Sequence, residues 1–94
     1  MHHEEIHLNG KTGDGYVIPL KTCNLVFIKT PDGLLACGAI DVAALDTFNI
    51  PAARISGVAT LDDLLNGTVR EANQHAAARG VQPGMSGRDA LEKL

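Results

Sequence analysis

The chain has 94 residues, enough for one folded domain and too few for two with separate cores. Its net charge is −3, with neither a basic run nor a set of stacking aromatics, which argues against binding nucleic acid. One Tyr, two Phe and no Trp leave a core that is aliphatic and rich in alanine, so a homo-oligomer is expected to supply the burial that such a core lacks.

In chain order, Glu5 to Leu8 alternates polar and apolar, with Ile6 and Leu8 on one face of a first strand. Asn9-Gly10 is a strong hairpin signal because both residues accept positive φ, although Gly13 and Gly15 in the polar stretch that follows allow a looser turn. Tyr16-Val17-Ile18 predicts a second strand ended by Pro19, and Asn24 to Ile28 a third. Thr30-Pro31-Asp32-Gly33 reads as a β-turn. The unbroken apolar run Leu34 to Ile40 predicts a fourth strand, buried on both faces and central in its sheet.

At Asp41 the pattern changes to a short helix, Val42 to Leu45, which Asp41 is placed to cap and Asn49-Ile50-Pro51 ends. Ala53 to Ala59 predicts a fifth strand. Thr60 precedes an acid-rich helix start, Leu61-Asp62-Asp63, and Asn66-Gly67 stops that helix. Thr68-Val69-Arg70-Glu71 has the spacing of a capping box, so a further helix is expected as far as Gly80. Ser86 caps a last helix that buries Ala90, Leu91 and Leu94. Strands first and helices last predict an α+β fold: an antiparallel or mixed sheet of about five strands, with short helices concentrated in the C-terminal half and packed on it.

The two cysteines, Cys23 and Cys37, form no CxxC pair, and His75 is far from both, so no metal site and no cofactor motif is read here. The longest apolar run, Leu34 to Ile40, is far short of a membrane span, and no leader pattern follows Met1. A reduced, cytoplasmic protein without a membrane partner is the expectation. His2 and His3 are read as a frayed terminus, and His7 and His75 as solvated.

Chemistry has few places to sit. Cys37 is a candidate nucleophile or redox group if the helix after Asp41 lowers its thiol pKa, and a small buried hydrophobe otherwise. Asp41 stands where a buried strand opens into a helix, a usual edge for ligands, but it also serves as a cap. Arg54, inside an apolar strand, suits an anion or a subunit interface. Gly84-Met85-Ser86-Gly87 would leave amides facing an anion at a helix start, or form a simple turn and cap. No Ser-His-Asp or Cys-His set can be assembled from spacing.

Cys37-Gly38-Ala39-Ile40-Asp41-Val42, followed by Gly57-Val58 and then by Gly84-Met85-Ser86-Gly87, resembles the YunC-like family, small bacterial and archaeal domains of unknown function. The resemblance covers nearly the whole chain and includes Thr22 to Leu25, where Cys23 departs from the family's Thr-Asn-Leu. It implies an α+β fold and a cytosolic protein, and supplies no reaction or cofactor. The matching residues, Cys37, Gly38, Asp41, Gly84, Met85, Ser86 and Gly87, become candidates for a shared site or for a shared folding constraint. The leading expectation is a binding module for a small anionic metabolite or a protein partner, with the ligand between the end of the fourth strand and Ser86-Gly87. The alternatives are an enzyme using Cys37 and a structural partner subunit.

Overall fold

Alternation and turn chemistry organise the first four strands as a meander. In the computed structural model, which describes residues 1–94, these are β1 (His2–Leu8), β2 (Lys11–Pro19), β3 (Asn24–Lys29) and β4 (Leu34–Cys37). Each pairs antiparallel with the one before it. Asn9-Gly10 makes a two-residue hairpin turn, with Leu8 opposite Lys11 and Gly10 at φ 78°. Gly13 and Gly15 therefore lie within β2 and not in a loose turn. At Gly15 a Cβ would come within 2.8 Å of Leu61, so the bare backbone is what lets that leucine reach the sheet.

Helix α1 (Val42–Asp46) then carries the chain back to β5 (Ala52–Ile55), which pairs parallel to β4. Helices α2 (Leu61–Asn66), α3 (Gln74–Ala77) and α4 (Gly87–Lys93) follow, with a two-residue strand β6 (Glu71–Ala72) between α2 and α3. The sheet is mixed, six-stranded, and ordered β1-β2-β3-β4-β5-β6. No helix is long and apolar enough to cross a membrane.

Three local expectations are corrected. The fourth strand ends at Cys37, where the Ile40 amide bonds back to the Cys37 carbonyl and turns the chain. The fifth strand spans only Ala52–Ile55. The helix expected from Thr68 is replaced by β6 and α3, because the free edge of β5 captures this segment: Arg70 N–H bonds Arg54 O at 2.9 Å and Asn73 N–H bonds Ala52 O at 3.0 Å. The capping box sits at Thr60 and Asp63 instead.

The pleat divides the sheet into two unlike faces. Val26, Ile28, Leu35, Cys37, Ala53 and Ile55 point to one, where they join Leu61, Leu64, Leu65, Ala90, Leu91 and Leu94 in the main core. On the other face a cross-strand row runs His3, Tyr16, Phe27, Ala36, Arg54, Glu71 through all six strands. Leu34 belongs to this face and lines one hollow together with Leu45 and Ile50, which places α1 over the β4–β5 half. Ala36, Ala52 and Val42 are buried apart from the main core, as this placement requires.

Candidate functional site

The two motif segments are best located by what each touches. Cys37 faces the main core, 3% exposed, and its Sγ accepts a bond from the Val26 amide at 3.5 Å. The thiol is thus set among aliphatic side chains, on the face away from α1. Cys23 is exposed. A thiol reagent is expected to label Cys23 alone in the native protein and both cysteines after denaturation, which mass spectrometry of the labelled chain would count. Rapid native labelling of Cys37 would restore it as a nucleophile.

Gly38 and Asp41 lie beyond the strand end and are exposed. Asp41 is the N-cap of α1, its Oδ1 accepting from Ala43 N–H at 3.0 Å and Ala44 N–H at 3.2 Å. Arg54, its side chain one third exposed, reaches along the sheet to both Gly38 and Glu71. Its Nη1 donates to Gly38 O at 3.3 Å, and its Nε lies 3.1 Å from Glu71 Oε1. The Nε is buried and its hydrogen finds no acceptor, so the Glu71 contact is an ion pair without a well-directed hydrogen bond.

The Gly84–Gly87 loop is tied to the chain after α2. Gly84 N–H bonds Val69 O, Met85 N–H bonds Gln82 O, and Gly87 N–H bonds Gly67 O. Ser86 pairs with Thr68 in an isolated antiparallel bridge and caps α4 by accepting from Asp89 N–H at 3.1 Å. These amides are already satisfied within the chain. Gly84 takes φ 98°, and Gly87 is buried against α2.

Between the two segments lies a polar cleft of about 410 Å³. Ser56 lines it and would meet a Cβ added at Gly38 at 3.6 Å, while Gly67, which accepts from Gly87 N–H, and Thr68, which pairs with Ser86, also line it. Neither motif enters the cleft; each braces one wall. Asn66, Arg70 and Asp63 complete the polar lining. Arg70 is exposed and engages no carboxylate. Asp63 is held below the usual carboxylate range, chiefly by the Ala59 amide and further by Thr60, so its charge is committed to capping α2. A second cleft, of about 340 Å³ beside His2, Glu4 and Thr60, touches neither motif.

Arg70, Asn66, Thr68 and Ser56 are not legible as a set from the sequence, because the β6 segment reads as helix. Two polar contacts are missed as well. Asn73 bonds four backbone groups of α1, the loop before β5, β5 itself and α3. His75, expected to be solvated, shares one oxygen of Asp46 between its ring Nδ1 and its backbone N–H, and the ring contact holds the Asp46 carboxyl below its ordinary range. His2 and His3 belong to β1 and are not frayed.

A six-stranded mixed sheet with its helices mostly on one face, and a polar cleft braced by two glycine-containing segments, defines a small α+β domain whose fold carries no reaction in itself. Residues 36–94 match the family described as "Domain of unknown function (DUF1805)", and the chain belongs to that family. It is 33% identical to the uncharacterised protein YunC of Bacillus subtilis (strain 168) over 93 residues, 95% of this chain and 92% of that one. A crystal structure of a protein of unknown function, TA1206 from Thermoplasma acidophilum, is similar at a TM-score of 0.93 and 33% identity, covering 99% of this chain and 91% of that one.

Proposed function

We propose that the chain is a single cytosolic binding domain that takes a small anionic metabolite in the cleft between β5 and the α2–β6 connection and works as a homo-oligomer. The observation that carries the ligand reading is Arg70, a guanidinium free of any ion pair, at a cleft whose other donors are the Ser56 and Thr68 hydroxyls and the Asn66 amide. Guanidinium and neutral donors together suit a carboxylate or phosphoryl group. The amides of Gly84, Met85 and Gly87 support the cleft wall and are not offered as ligands, since each already has a partner.

Thermal unfolding with phosphorylated and carboxylated metabolites tests the reading. A ligand at about 100 times its Kd adds roughly 2.7 kcal/mol of stability, and in a domain of this size that raises Tm by well over about 5 °C. Arg70→Ala is expected to abolish the rise while shifting the unliganded stability by no more than about 0.5 kcal/mol, because the side chain is exposed. A rise that survives Arg70→Ala, or none across the series, removes the reading.

A further inference from the structure

Of the 9 residues that line the polar cleft, only Asp63 and Arg70 are charged, and they carry opposite signs. Asp63 is the third residue of α2, and Arg70 stands directly before β6. Although they share one cleft, they do not pair. The arginine ion pairs of the chain are Arg54 with Glu71 and Arg79 with Asp32, and the Asp63 carboxylate meets no cation.

The two oxygens of Asp63 are not equivalent. Oδ2 accepts from Ala59 N–H at 3.0 Å and from Thr60 N–H at 3.2 Å. Those bonds hold the side chain in place, and the Ala59 amide foremost keeps the carboxyl ionised at neutral pH. Oδ1 accepts from no group in the chain. It is a charged acceptor, positioned by its neighbouring oxygen, with its lone pairs open. Arg70 is anchored in a corresponding way. Its backbone N–H is bonded to Arg54 O at 2.9 Å, while its guanidinium donates to nothing in the chain.

A ligand with negative charge alone answers only half of this arrangement. It would satisfy Arg70 but meet Asp63 as a like charge, which costs affinity. We propose that the cleft takes a small amino carboxylate in its zwitterionic form, with the carboxylate on Arg70 and the protonated amine on Asp63 Oδ1. This rests on the anion reading given above and adds a second charge to it. Both contacts are charge-assisted hydrogen bonds, the stronger kind. The ligand brings one charge of each sign, so the occupied cleft stays neutral, which a phosphate dianion would not allow. The Ser56 and Thr68 hydroxyls and the Asn66 amide remain for the second carboxylate oxygen. At about 410 Å³ the cleft has room for a molecule of amino-acid size, and its sparse apolar lining, Ile55 and Val58, asks for little hydrocarbon.

Amide NMR titration of the full chain with matched pairs of probes at neutral pH separates the two readings. The pairs are glycine with acetate, β-alanine with propionate, and γ-aminobutyrate with butyrate; inorganic phosphate is the control anion. The amine-bearing member of at least one pair is expected to bind roughly 10-fold more tightly than its partner and to shift the amides of Gly57 and Thr68. Asp63→Asn keeps an oxygen for the Ala59 and Thr60 amides and removes the charge. There the preference is expected to vanish, with the simple carboxylates binding no worse than to the wild type. Should that variant fold poorly, the wild-type pairs decide alone. Equal binding within every pair, or binding of phosphate alone, each abolished by Arg70→Ala, would overturn the zwitterion and leave the anion cleft standing. A preference that survives Asp63→Asn would do the same. No binding by any probe would overturn both.

Discussion

Gly87→Ala is expected to unfold the domain or bring it close to unfolding. A Cβ at Gly87 would stand 1.8 Å from the carbonyl oxygen of Leu64 and 3.0 Å from Ile55 Cδ1. The first of these is backbone in α2 and cannot rotate away, so α4 would have to retreat from α2. Retreat breaks the Gly87 N–H bond to Gly67 O and loosens Ala90, Leu91 and Leu94, all fully buried. Overpacking of a flexible core costs about 1–3 kcal/mol, and a clash with fixed backbone belongs above that range. Against a total of roughly 5–15 kcal/mol the loss is large, and a fall in Tm of about 15 °C or more is expected. Ser86→Ala, which removes only the α4 cap, should cost about 1 kcal/mol and serves as the neighbouring comparison. A Gly87→Ala protein as stable as Ser86→Ala would show that the helix contact is softer than this geometry.

Asn73→Ala is expected to cost about 3 kcal/mol or more in urea unfolding, since truncation strands several buried groups at once, at about 1–3 kcal/mol for each one left unsatisfied. Asn73 is 8% exposed and uses its whole amide: Oδ1 accepts from Ala52 N–H at 3.1 Å and Ala76 N–H at 2.9 Å, while Nδ2 donates to Val42 O at 3.0 Å and Ile50 O at 2.9 Å. Asn73→Asp is the sharper variant. It keeps the acceptor for Ala52 and Ala76 but turns an ionised oxygen towards the two carbonyls, so it is expected to rescue nothing at neutral pH. An Asn73→Asp protein near wild-type stability would mean that the donor side of the amide contributes little.

These two residues also mark how far the sequence could be read. The meander was legible because its first and third turns carry local signals, Asn9-Gly10 and Thr30 to Gly33, while the exit from β4 was read at Ile40 and falls at Cys37. Capping at Asp41 and Ser86 was legible for the same reason, since a cap is a contact within three residues, whereas the capping box was read at Thr68 and stands at Thr60. The region from Thr68 to Ala77 was not. Its composition fits a helix, but the unpaired edge of β5 lies more than a dozen residues earlier in the chain, and hydrogen bonds to Arg54 and Ala52 outweigh local propensity. The cleft was lost with it, because Arg70 and Thr68 line it only when that segment runs beside β5. Gly84 to Gly87 stood out in the sequence as a candidate anion nest. The structure places the amides of Gly84, Met85 and Gly87 in backbone bonds and the last glycine under a neighbouring helix, so the spacing of glycines identified the segment without revealing which physical demand it meets.

The order of strands in the sheet is also their order in the chain. Every new strand can therefore join at the growing border, and none has to be threaded between two already paired. Nascent chain leaving a ribosome could lay down β1 to β4 hairpin by hairpin, with closure costs kept small by short connections. The single parallel step, from β4 to β5 by way of α1, is the first that must wait for a longer stretch of chain. Until α2 lays Leu61 against β2 at Gly15, and α4 buries Leu94 against the turn at Thr30 and Gly33, the aliphatic side of the early strands stays wet. The interval between β4 and α4 is thus the period in which this chain is most open to aggregation, and the time when a chaperone would find the most to hold.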